Sequence, residues 1–116
     1  MSVQWIEHKG REILYVDYRL KSPKQMLLTL ESGFDVIGKS EQNILALFDY
    51  RDVPVGKVFM EESQKRCIAL MHKKEKVALL GMNGIKELFF EKLKEELEGT
   101  VDSFDSEERA KEFLIS

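Results

Sequence analysis

Cysteine is nearly absent: Cys67 stands alone among 116 residues. A single thiol excludes an internal disulfide and a cysteine-rich zinc site. Proline occurs twice, as Pro23 and Pro54, and glycine seven times. No Pro/Gly/Ser-rich linker, internal repeat or low-complexity tract divides the chain. Unbroken apolar runs stop at four or five residues, far below the ~20 that cross a bilayer. Neither sign of charge is in large excess, with 18 Lys+Arg against 21 Asp+Glu and a net charge of -3. That balance provides no basic footprint for nucleic acid and no strong pull toward an anionic membrane. The first residues, Met1-Ser2-Val3-Gln4-Trp5, lack the basic start and apolar core of a signal peptide. The expectation is a soluble cytoplasmic protein with no stable membrane insertion. What is present is apolar mass, 43% of residues, enough for the core of one domain over residues 1–116.

The patterning predicts nine elements. Val3 to His8 alternates as a strand, Lys9-Gly10 is a turn signal, and Glu12 to Tyr18 is a second strand, so the pair forms an antiparallel hairpin. Ser22-Pro23-Lys24-Gln25 opens a helix through a serine cap, a proline in the first turn and a capping box. Met26, Leu27, Leu30, Phe34 and Ile37 share one face of it, and Gly33 weakens its last turns. Ile44 to Phe48 is continuously apolar, as in a strand buried on both faces. Asp52 and Pro54 open a second helix to about His72, with Val55, Phe59, Cys67, Ile68 and Met71 as its stripe. Lys73, Lys74 and Lys76 follow, placed to complement that helix's dipole. Val77 to Leu80 is another buried strand, and Gly81-Met82-Asn83-Gly84 turns into a third helix, Ile85 to Glu98, closed by Gly99. Thr100 to Phe104 is an edge strand, and Asp105 with Glu108 caps a last helix that carries Ala110, Phe113 and Leu114 inward. The order ββαβαβαβα implies a single, mainly parallel five-stranded sheet, an antiparallel first strand and four helices.

Four stretches carry a family resemblance: Gly10 to Tyr18 (GREILYVDY), Leu47-Phe48-Asp49, Val77 to Ile85 (VALLGMNGI) and Phe104 to Leu114 (FDSEERAKEFL). In these the chain resembles the SpoIIAA-like branch of the STAS/SEC14-like proteins, related to anti-sigma-factor antagonists. The resemblance spans nearly the whole sequence and rests on structural rather than catalytic motifs. It implies a STAS/SEC14-like fold and regulatory protein binding, and, through the SEC14-like relatives, lipid binding beneath a movable helix. It also exposes a departure. Antagonists of this kind carry a phosphorylatable serine after the third strand, whereas Phe48 to Gly56 (FDYRDVPVG) holds no serine or threonine. Ser63 lies about two turns into the following helix, facing the wrong way for a loop switch.

In open parallel sheets ligands collect beyond the carboxyl ends of the strands. That edge places Asp17, Tyr18, Asp49, Tyr50, Arg51, Asp52, Asn83 and Gly84 together. A pair such as Asp17 and Asp49 suits a divalent cation or acid/base work; equally, these carboxylates cap helices and solvate strand ends. The Gly-x-x-Gly turn is read as tight strand-to-helix packing rather than as an anion cradle, since it lacks the nucleotide-loop patterns. His8 and His72 have no ligand-spaced neighbours in sequence, and Cys67 sits on an apolar stripe. On the third helix Ile85, Leu88, Phe89, Phe90, Leu93 and Leu97 spread over roughly 200°, wider than one buried stripe. Leu28 and Trp5 add apolar surface outside the expected core. Phe90, Leu97 and Phe59 are accordingly the candidate contacts for a protein partner or a second copy of the chain. With no nucleophile–base pair, metal cluster or cofactor loop, the expectation is a non-enzymatic interaction domain without cofactor or metal. The alternative is a small carrier of a lipid or other apolar ligand.

Overall fold

The computed structural model describes residues 2–41, 43–53, 56–69, 74–97 and 99–116. Its elements run β1 (Val3–His8), β2 (Arg11–Asp17), α1 (Pro23–Lys39), β3 (Ile44–Asp49), α2 (Lys57–Ala69), β4 (Lys74–Leu80), α3 (Ile85–Glu96), β5 (Val101–Phe104) and α4 (Glu107–Ile115). The order is the expected ββαβαβαβα. Pro54, Val55, Met71 and His72, assigned above to the second helix, fall outside the described residues.

All five strands join one sheet in the order β1-β2-β3-β4-β5, with β1 antiparallel to β2 and the rest parallel. The hairpin closes on Lys9 and Gly10, both at positive φ (50° and 83°), as a two-residue turn requires to match strand twist. Strands added in sequence order, each through a right-handed crossover, must carry their helices on one face. α1, α2 and α3 indeed share one core with Leu14, Val16, Phe48, Val77 and Leu79, while α4 packs alone on the opposite face against Ile13, Leu45, Leu47, Ala78 and Leu80. β3 is buried at all six positions, which explains its unbroken apolar run.

Local chemistry sets the helix boundaries. The Ser22 side chain accepts from the Gln25 amide, and the Gln25 side chain returns a bond to the Ser22 amide. α1 continues through Gly33 to Lys39 because a side chain at 33 would press on Val16, 3.2 Å from an added Cβ; the glycine lets the helix lie close on the sheet. Leu27, expected inward, is exposed instead. α4 is capped by Ser106, which accepts from the Arg109 amide, rather than by Asp105. Lys74 and Lys76 belong to β4, and Lys76 does not serve the helix that precedes it. Its ammonium donates to the Phe113 and Ser116 carbonyls and caps the C-terminus of α4.

Candidate functional site at the carboxyl edge of the sheet

Asp17 and Asp49 end adjacent parallel strands and are partners in register. Each begins the same tripeptide, Asp-Tyr-Arg, at 17–19 and 49–51. The two copies fold alike. In each, the arginine amide donates to the aspartate Oδ1 two residues back, at 2.9 Å for Arg19 and 3.1 Å for Arg51. In each, the guanidinium folds onto the same carboxylate: Arg19 on Asp17 at 3.0 and 3.1 Å, Arg51 on Asp49 at 3.0 and 2.6 Å. The residue after each arginine, Leu20 or Asp52, has φ 57°. The two tyrosine rings, on the helical face of the sheet, stack with centroids 4.9 Å apart.

The copies are cross-linked at Asp49. Its carboxylate, fully buried, accepts a 2.6 Å bond from Tyr15 Oη and lies 3.3 Å from Arg19 Nε. Arg19 in turn donates to Tyr15 Oη at 3.2 Å. Burial alone would raise the Asp49 carboxyl, but the bonds from Arg51 and Tyr15 outweigh it and hold it below the usual carboxylate range. Asp17 follows the same pattern, with Arg19 outweighing partial burial. Burial and the neighbouring Asp49 push the Tyr15 phenol up. The two carboxylates therefore approach each other as expected, yet guanidinium groups fill the space between them. The arrangement is a charge-neutralising lock.

Tyr50 and the glycine turn complete the edge. Tyr50, expected at a ligand edge, is buried, and its hydroxyl lies 3.3 Å from Ser63 Oγ. Its backbone carbonyl accepts a 2.8 Å bond from the ammonium of Lys86, a buried lysine in the first turn of α3. Burial lowers the Lys86 ammonium, with Asp52 and Asp49 opposing. Gly81 has φ 80°, and a Cβ there would stand 2.6 Å from the Arg51 Cα and amide nitrogen. The turn after β4 thus lies against the turn after β3, a turn-on-turn contact in place of the strand-to-helix packing expected for it. Gly84, also at positive φ (60°), meets nothing within 4 Å.

α3 leaves β4 toward one face of the sheet and α4 leaves β5 toward the other. A crevice forms where adjacent connections diverge in this way. It measures about 570 Å³ and is lined by Arg51, Asp52, Asn83, Ser103, Phe104 and Arg109 among others. Arg51, Asp52 and Asn83 of the expected edge set reach it; Asp17, Tyr18, Asp49, Tyr50 and Gly84 do not line it.

The three expected partner contacts are corrected. Phe90, Leu97 and Phe59 are buried, at 5%, 2% and 8% exposure. Phe59 packs edge-on against Tyr18, centroids 5.2 Å apart. α3 meets both α2 and β5, so its broad apolar arc is core on two sides, and among the arc's described side chains Leu88 alone is exposed. Tyr15, Arg19 and Lys86 were not singled out from the sequence, although the doubled Asp-Tyr-Arg was a visible sign of a shared local device. His8 is a further correction: Glu108 and Glu112, remote in sequence, bring their carboxylates to its ring.

No family model matches the chain, and no curated protein matches it in sequence. A solved structure is similar in fold: an uncharacterised protein from Shewanella loihica PV-4, described as a DUF3478 family member with a SpoIIAA-like fold. It superposes with a TM-score of 0.63 over 97% of this chain and 91% of its own, at 16% identity. The chain has a SpoIIAA-like fold. At that identity the likeness extends to architecture alone. Among the described residues no helix is long and apolar enough to cross a membrane.

Proposed function

We propose that this SpoIIAA-like domain is a non-enzymatic interaction module that docks a protein partner on the carboxyl edge of its sheet. One observation carries the reading. The three most exposed large apolar side chains among the described residues are Leu20, Leu88 and Val58, at 103%, 71% and 70%. Leu20 precedes α1, Val58 lies in the first turn of α2 and Leu88 in the first turn of α3. All three helices start at the same edge. Leu20 also holds a left-handed backbone conformation, φ 57°, which costs a leucine roughly 1–2 kcal/mol. Its backbone repeats the turn that Asp52 makes after Arg51, but its side chain, fully exposed, packs on nothing in this fold and so offers a surface for a partner.

Charge narrows the partner. Lys21, Lys24 and Lys57 surround Leu20 and Val58 in sequence, so a segment presenting apolar side chains among acidic ones fits best. Three lysines fall short of the four to eight basic residues of a lipid-headgroup patch. With no serine or threonine in Phe48 to Gly56 and with Ser63 buried, docking in this reading is not gated by a serine phosphoswitch. The carrier alternative gains nothing from the interior: the cavity beneath the helices, between Phe34, Tyr50, Cys67 and Phe89, is about 10 Å³, room for a single water and no acyl chain.

A photo-crosslinking amino acid placed at Val58, compared with one at Glu41 on the opposite edge, tests the reading in the source cells. A discrete protein adduct from position 58 that is absent from position 41 supports it. Equal labelling from both positions, or none from 58, removes the carboxyl edge from consideration.

A further inference from the structure

We propose that His8, Glu108 and Glu112 form a binding site for a divalent transition cation of the zinc class, clamping the β1–β2 hairpin to α4. The three residues come from the last position of β1 and from one face of α4, where Glu108 and Glu112 stand a helical turn apart. Their ligand atoms all lie within 4.8 Å of one another. His8 Nε2 is 3.4 Å from Glu112 Oε1. Bonds of about 2.0–2.1 Å in a tetrahedral site set neighbouring ligand atoms roughly 3.3 Å apart, so that edge already has the required length. Glu108 is exposed and closes the remaining gap by side-chain rotation. One imidazole and two carboxylates leave a fourth position to water, a donor set that zinc accepts.

The His8 ring is only 13% exposed, so its position is fixed by packing rather than by the metal. The Lys9 ammonium donates to Glu112 Oε1. The cluster thus already draws a cation. Lys9 is 61% exposed, and an exposed ion pair of this kind holds its partners weakly, so a metal ion displaces it into solvent. The sequence hides the site because His8 and the α4 glutamates are about a hundred positions apart, as the separation of 104 between His8 and Glu112 shows.

Isothermal titration of the whole chain with zinc chloride near neutral pH, with melting curves in parallel, tests this. The expected result is saturable one-site binding and a raised Tm. Glu108→Gln, an exposed change that leaves folding intact, should weaken binding about tenfold or more. His8→Ala should abolish it, and Lys9→Ala, which removes the competing cation, should tighten it. Absence of saturable binding to the unaltered chain overturns the proposal, as does binding left unchanged by Glu108→Gln.

Discussion

Asp49 carries a full negative charge at zero exposure, and the structure tolerates it only because Tyr15, Arg19 and Arg51 converge on it. Removing one member of a buried ion pair typically costs about 3–5 kcal/mol, since the partners are left uncompensated. Asp49→Asn should therefore lower unfolding stability by roughly that amount in urea titrations. Tyr15→Phe should cost less, about 1.5–3 kcal/mol, because it deletes one bond to a charged acceptor. The pH dependence has a definite sign. Asp49 and Asp17 bind protons less readily folded than unfolded. Their contribution is complete above the unfolded carboxylate value of about 3.9 and is lost as pH falls below it. Acid titration followed by circular dichroism should show that loss in the unaltered chain and a flatter profile in Asp49→Asn. Gly81 offers a sharper steric test. Gly84→Ala should cost about 1–3 kcal/mol, because φ 60° with ψ -133° is backbone that essentially only glycine adopts, whereas Gly81→Ala should cost clearly more, because its Cβ would also meet backbone at 2.6 Å. Equal melting temperatures for the two variants would contradict the close approach. At this scale the sequence displayed the right residues without their partners. Asp17, Asp49 and Arg51 stood out by position, but the bond from Tyr15 joins residues 34 apart, a pairing that only the strand register supplies.

Elements were legible where one residue and its near neighbours decide them. Ser22, Pro23 and Gln25 set the start of α1, and Ser22→Ala should destabilise by about 1 kcal/mol in thermal melts. The turn at Lys9-Gly10 and the unbroken run of β3 were equally local. Misreadings arose where a neighbour outside the element decides. The arc from Phe89 to Leu97 is too wide for a helix on a sheet alone, but α3 meets both α2 and β5, and Phe90 and Leu97 are buried with the rest. Lys76 serves the end of α4 rather than its own preceding helix because β4 runs beneath that C-terminus. Ser106 displaced Asp105 as the α4 cap, a one-residue shift that alternating polar residues at a strand end do not resolve.

Element order and crossover handedness imply a mainly parallel sheet with an antiparallel first strand but leave the strand order open; the structure supplies it as β1-β2-β3-β4-β5, with helices three against one. Three consecutive helices on one face bring three helix starts to one edge, and the most exposed apolar side chains sit at those starts. The sequence points to Phe59, Phe90 and Leu97 as partner contacts; the structure buries all three, and the proposed docking surface is the edge instead. The most direct test compares the unaltered chain with Leu20→Glu/Val58→Glu/Leu88→Glu. Each substitution replaces an exposed side chain, so folding stability should change by only about 0.5 kcal/mol per site, which melting curves check. Both forms are immobilised and exposed to lysate of the source cells, and retained proteins are quantified by mass spectrometry. The expected result is a protein enriched on the unaltered chain and reduced at least tenfold on the folded triple variant. Equal retention of every protein by the two forms would contradict docking at the carboxyl edge.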